Sequence, residues 1–147
     1  MKTDKNARYQ GYAFFFKEGF CWNNLLNPNA RLLKAKLKKA TVNDVGSMSL
    51  ISCSFLPNAF FVSLLNSNII FDYYREFINC TVNIQINDLR QIPVVIPSEN
   101  DLLDILNSFQ VVYDEKRKCF ADDTMVFNDN LEKILDEKIT KLYFIDA

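Results

Sequence analysis

The chain has 147 residues, of which 49% are hydrophobic and 14% aromatic, and its formal net charge is −1. That length suits one ordinary domain burying roughly two thirds of its unfolded surface, and no apolar run approaches the ~20 residues of a membrane span. Histidine is absent, which removes the usual general base at neutral pH and excludes Ser/His and Cys/His nucleophilic chemistry within this chain.

The four cysteines, Cys21, Cys53, Cys80 and Cys119, form no CxxC pair. Without histidine and with such wide spacing, a zinc site is not expected, and free thiols in a reducing compartment are. The charged start, MKTDKNARYQ, has no apolar core of a signal peptide, so a cytoplasmic protein is the expectation. The charge is lopsided. Residues 1–90 carry 11 Lys and Arg against 6 Asp and Glu, giving +5, and residues 91–147 carry 6 against 12, giving −6. Such asymmetry suggests that the first part faces something anionic.

In chain order, residues 9–16 (YQGYAFFF) have the aromatic character of a strand. Lys17-Glu18-Gly19 reads as a turn, and Phe20-Cys21-Trp22 as a second strand. Residues 23–29 (NNLLNPN) are a polar loop around Pro28. Residues 30–40 (ARLLKAKLKKA) are a helix by propensity. By pattern they are a half-buried strand, since Leu33, Ala35 and Leu37 alternate with Lys34, Lys36 and Lys38. The strand reading places those three lysines on one face. A turn at Gly46 leads to a further strand over 48–54.

Leu56-Pro57-Asn58 opens a helical region, with Pro57 suited to a first turn. Asn66-Ser67-Asn68 interrupts it. A second helix over 69–78 carries Ile70, Tyr73, Tyr74 and Phe77 as one core-facing stripe. Residues 81–86 read as extended, 87–90 as a short turn, and 94–96 as a brief strand confined between Pro93 and Pro97. Ser98 caps a helix to about Lys118, with Asp101 three residues on. A loop then precedes a last helix over 129–144. Strands first and helices after imply an α+β fold: a short-stranded sheet followed by packed helices, two of them C-terminal, in one domain over 1–147 with a helical part from 98.

Lys17-Glu18-Gly19-Phe20-Cys21-Trp22, the Arg31-led segment, Ser47–Ser52, Leu64-Leu65-Asn66-Ser67 and Asn87-Asp88-Leu89-Arg90-Gln91-Ile92-Pro93 through Pro97 follow one another in an order that resembles the C-terminal specificity domain of TaqI-like N6-adenine DNA methyltransferases and fused restriction–modification enzymes. The closing LEKILDEKITKLY is similar to the last helix of the same proteins. The resemblance implies a double-stranded DNA partner, an upstream methyltransferase domain using S-adenosylmethionine, and no catalysis by this chain alone. Asn-Pro-Pro-Tyr is missing and no glycine loop is present, so the chain is expected to be a fragment of a larger protein. On that expectation Arg31, Lys34, Lys36, Lys38 and Lys39 contact phosphates, and Asn83, Gln85, Arg90 and Gln91 read base edges. The loop asparagines Asn23, Asn24, Asn27 and Asn29 are a further candidate. Two alternatives stay open. One is a fragment of a type I specificity subunit, which needs a longer helical spacer than 129–144 provides. The other is a protein-interaction module without DNA.

Overall fold

A computed structural model of the chain describes residues 12–42 and 47–144. It opens with a 3-10 turn, Tyr12–Phe14, followed by three short strands and then helices. The fold is α+β. The aromatic run does not form the expected strand, because its described part turns instead and Phe16 adopts φ 58°. Residues 9–11 and the Gly46 turn lie outside the described residues.

Strand β1 (Gly19–Asn23) is central and antiparallel to β2 (Lys36–Lys38) and β3 (Ser47–Leu50). Gly19 pairs with Lys38 and Cys21 with Lys36, while Phe20 pairs with Leu50 and Asn23 with Ser47. A Cβ on Gly19 would lie 2.3 Å from the Leu50 carbonyl oxygen, so only glycine lets β3 approach this closely. Phe20, Cys21 and Trp22 are all buried, which is how one strand supplies both faces of a small sheet.

Helix α1 (Asn58–Leu65) covers the sheet. Phe60 is fully buried, and Phe61 stacks on Phe20 at 5.4 Å between ring centroids. Pro57 occupies the N-cap in an extended conformation, one position earlier than a first-turn proline. Asn66 and Ser67 break the helix, and the buried Ser67 hydroxyl donates to the Leu64 carbonyl at 2.7 Å.

Helix α2 (Asn68–Tyr73) then widens into a π turn over Tyr74–Ile78, closed by Asn79 N–H donating to the Tyr74 carbonyl at 2.8 Å. This corrects the expected single stripe. Ile70 and Tyr74 enter the core, but Phe77 is 72% exposed, with its ring 5.2 Å from that of Tyr73. The extra residue in the π turn delays the return to the core face, and Ile78 takes the place that an α-helical period gives to Phe77.

A four-residue helix, α3 (Ile86–Leu89), stands where a turn is expected. Residues 94–96 form no strand. Pro93 and Pro97 remove two amide donors, and the Pro93 carbonyl accepts from the Tyr143 hydroxyl at 2.7 Å instead of joining a sheet.

Helix α4 (Glu99–Ala121) starts as expected, with the Ser98 hydroxyl accepting from Asp101 N–H. Helix α5 (Asp129–Lys141) returns antiparallel to it. Lys116 pairs with Glu132 near one end. At the other, Lys138 donates to Asp104 at 2.6 Å and to Ser108 at 2.7 Å. Ile105, Phe109 and Val112 meet Leu135 and Ile139 in the hydrophobic cluster that also holds Trp22, Phe60 and Tyr74. Asp136 on α5 accepts from the backbone and side-chain amides of Asn68, tying α2 to the pair. Among the described residues no helix is long and apolar enough to cross a membrane.

Candidate nucleic-acid interface

The polar connector from Asn79 to Gln91 is built around one carboxylate. Asp88 accepts from the Gln85 backbone N–H at 2.8 Å, the Asn79 side-chain amide at 2.8 Å and the Tyr74 hydroxyl at 3.2 Å. Partial burial pulls the Asp88 pKa upward, but these three donors together outweigh it and hold the carboxyl below its ordinary range. Burial first, and then the facing Asp88 charge, raise the Tyr74 hydroxyl well above the usual tyrosine range. The pair therefore shares one proton, on the phenol, across ordinary pH.

Asn79 extends this network. Its side-chain oxygen accepts from both N–H and hydroxyl of Thr81, at 2.8 and 2.7 Å, and its amide also reaches the Asn83 carbonyl. The Arg75 guanidinium donates to the Thr81 carbonyl at 2.7 Å. The chain then lies beside the end of β1. Leu25 bridges Asn83, Leu26 N–H donates to Val82 and Ile84 N–H donates to Asn24. The buried Ile84 side chain anchors this short pairing.

On that frame Asn83, Gln85, Arg90 and Gln91 are all exposed. The Asn83 side-chain amide has no hydrogen-bond partner among the described residues. Arg90 donates to the Asn87 side-chain oxygen at 3.2 Å, and Gln91 donates to the Asn87 carbonyl at 3.2 Å. The four expected base-reading residues thus come from one connector and lie within nine positions of chain. The loop asparagines divide. Asn24 spends its carbonyl on Ile84, and Asn27 turns its own loop by accepting from the Asn29 N–H.

The lysine segment is arranged differently from the expected single face. β2 is only three residues long. Lys34 precedes it with φ 54°, in the left-handed region, and so does not continue the strand's alternation. Asn66 fixes the next residue by donating to the Ala35 carbonyl and accepting its N–H, both at 2.8 Å. Lys36 is exposed. Lys38 is buried, and its ammonium donates to the carbonyls of Lys17, Lys39 and Thr41 at 3.0, 3.3 and 2.8 Å. Arg31, Lys34 and Lys39 are exposed. Lys38 stands opposite Gly19 at one end of β1, while Asn83 bridges Leu25 just beyond the other end. Because β2 runs antiparallel, Lys34 leaves it at the connector end and Lys39 at the far end.

A groove of about 1310 Å³ opens elsewhere, between the segment Arg31–Leu37, α1, and the α4–α5 pair. Arg31 and Lys36 line it together with residues of the acidic last helix. Sequence reasoning missed this groove because it depends on how α5 packs. It also read Asp88 only as turn chemistry, because Gln85 with Asp88 departs from the usual Ser/Thr and Glu/Gln pattern of a helix-start box, which the two residues nevertheless form.

Among the described residues no group of three or more Cys, Asp or Glu could hold a metal ion. Gly19, the described glycine, is packed against the Leu50 carbonyl inside the sheet. No family model, curated protein or solved structure matches this chain.

Proposed function

We propose that the chain is a DNA-recognition module of the adenine-methyltransferase specificity type, with bond-making carried out elsewhere in a larger protein. The observation that supports this most is the connector. A satisfied carboxylate network fixes its backbone, and side chains of the kind suited to adenine and guanine edges stand exposed along it, with Arg90 and Gln91 held on Asn87, and Gln85 at the cap of α3. A reader of base edges needs both properties, since loose side chains lose in ordering entropy what they gain in contact.

Asn83 and Gln85 would supply the paired donor and acceptor that suit adenine, and Arg90 the fork that suits guanine. Gln91 lies beside Arg90 as a second amide. Lys34 precedes β2 at the end of the sheet where the connector pairs and would contact phosphate there; Arg31 and Lys36 line the groove, and Lys39 follows β2 at the far end. Lys38 has its protons committed to three carbonyls and contributes to shape.

The test is fluorescence polarisation of a labelled random-sequence duplex at low salt. Binding is expected, with affinity falling steeply as salt rises. Arg90→Ala and Lys34→Ala should each weaken it several-fold, and Asn83→Ala should flatten the preference recovered by selection from the random pool. A chain that leaves polarisation unchanged at every concentration, or variants indistinguishable from the parent sequence, would overturn the proposal.

A further inference from the structure

On the DNA-recognition reading above, on which this rests, we infer that Leu25 is a further specificity-determining residue: it contacts the C5-methyl of thymine in the A·T pair whose adenine edge meets Asn83. The backbone sets these two side chains together. Leu26 N–H donates to the Val82 carbonyl at 2.7 Å, and Ile84 N–H donates to the Asn24 carbonyl at 2.8 Å. These two bonds flank the antiparallel bridge between Leu25 and Asn83, which exchange none themselves. In a non-hydrogen-bonded pair of this kind the Cα atoms are about 4.5 Å apart, and the two side chains share one face at close range. The alternation is visible in the burial. Leu26 and Ile84, the next residue on each side, are 8% and 0% exposed, whereas Leu25 is 64% exposed and Asn83 is exposed beside it.

The chemistry of the pair selects its ligand. In the major groove adenine offers the N7 acceptor and the N6 donor, which an asparagine amide meets with both its atoms, and the paired thymine offers on the same edge a methyl group, whose complement is an apolar side chain. An amide and a leucine held side by side match the two halves of that edge. A single exposed leucine is ordinary protein surface; Leu25 differs in its fixed place against an amide that has no hydrogen-bond partner among the described residues. An apolar protein partner laid over Leu25 would also desolvate the Asn83 amide and leave it unsatisfied, which is costly, whereas an A·T edge satisfies both. Neither paired segment, 23–29 or 79–87, contains an Asp or Glu. Asp88, just beyond, has its carboxylate taken up by three donors. The two segments themselves thus oppose no phosphate flanking the groove.

The experiment uses the full chain and the duplex sequence recovered by selection. Thymine is replaced by deoxyuridine one position at a time, which removes a single methyl and keeps every hydrogen-bonding group of the base. At the pair whose adenine preference is lost in Asn83→Ala, polarisation should show the deoxyuridine duplex binding about fourfold more weakly, the worth of one buried methyl. Leu25→Ala should bind the thymine duplex no more tightly than the wild type binds the deoxyuridine one, and should no longer distinguish the two. Leu25 is exposed, so its variant should keep the wild-type circular dichroism. Deoxyuridine tolerated by the wild type at that position, or a penalty that persists in Leu25→Ala, overturns the role of Leu25 and leaves DNA recognition standing. A chain that binds no duplex, or that shows no adenine preference dependent on Asn83, overturns both.

Discussion

The two ends of β1 solve one problem with opposite charges. At the connector end a carboxylate, Asp88, gathers an amide N–H, a side-chain amide and a phenol. At the other end an ammonium, that of Lys38, gathers three backbone carbonyls. Each ion closes a loop that has no regular hydrogen-bond ladder of its own, and each meets the requirement that partly buried charges be fully hydrogen-bonded. The difference lies in what is left over. The anion organises side chains around it and leaves Asn83, Gln85, Arg90 and Gln91 exposed beside it. The cation satisfies only backbone and frees nothing beyond Lys39. Charge near a loop is therefore a poor guide to binding until its partners are known.

The largest expected effect falls at the anionic end. Asp88→Ala leaves three donors without their shared acceptor and should lower the unfolding free energy by about 2–4 kcal/mol, read by urea denaturation. If the loss is no greater than for an ordinary surface change, the connector is not held from Asp88. Next is Lys38→Met, which keeps the stem and removes the ammonium. It should cost about 1–3 kcal/mol by orphaning three carbonyls, whereas Lys36→Met, two positions along, should leave the denaturation midpoint where it was. Equal effects at the two lysines would erase the distinction between buried and exposed members of the basic segment.

The smallest effect is in pH. The folded pKa of Asp88 is depressed, so its contribution is fully present above the unfolded value of about 4 and fades as pH falls through the lower folded value. Tyr74 is raised, so its contribution is present below about 10, the unfolded value, and fades as pH climbs toward the folded one. Asp88→Asn should flatten the acid arm of the stability profile, and Tyr74→Phe the alkaline arm. A profile with the same two arms in both variants would assign them to other groups.

Much of the fold is legible in the sequence. The Ser98 cap, the periodic apolar positions of α4 and α5, the break at Asn66–Ser67 and the order of strands before helices all rest on local chemistry that tertiary contacts reinforce. What was illegible depends on partners distant in sequence. Alternation predicts a lysine face over 34–38, but Asn66, thirty-one positions away, pins Ala35, and Lys34 turns out of register. Helical spacing predicts a stripe through Phe77, but the chain widens into a π turn where Tyr74 must reach Asp88. Prolines at 93 and 97 mark an edge strand by composition, and the structure gives them no neighbour to pair with. At the candidate interface, the exposed residues Asn83, Gln85, Arg90 and Gln91 could be named from residue type. The network that fixes them could not, because Asp88 and Tyr74 are fourteen positions apart.

Trp22 is the sole tryptophan of the chain and is 1% exposed at the centre of the core. Its indole N–H has no hydrogen-bond partner among the described residues. The protein thus carries one intrinsic fluorophore in an apolar setting, with emission expected at the blue end of the indole range and a red shift on unfolding. Because the ring is sealed within the core cluster, its colour should report the integrity of the interior.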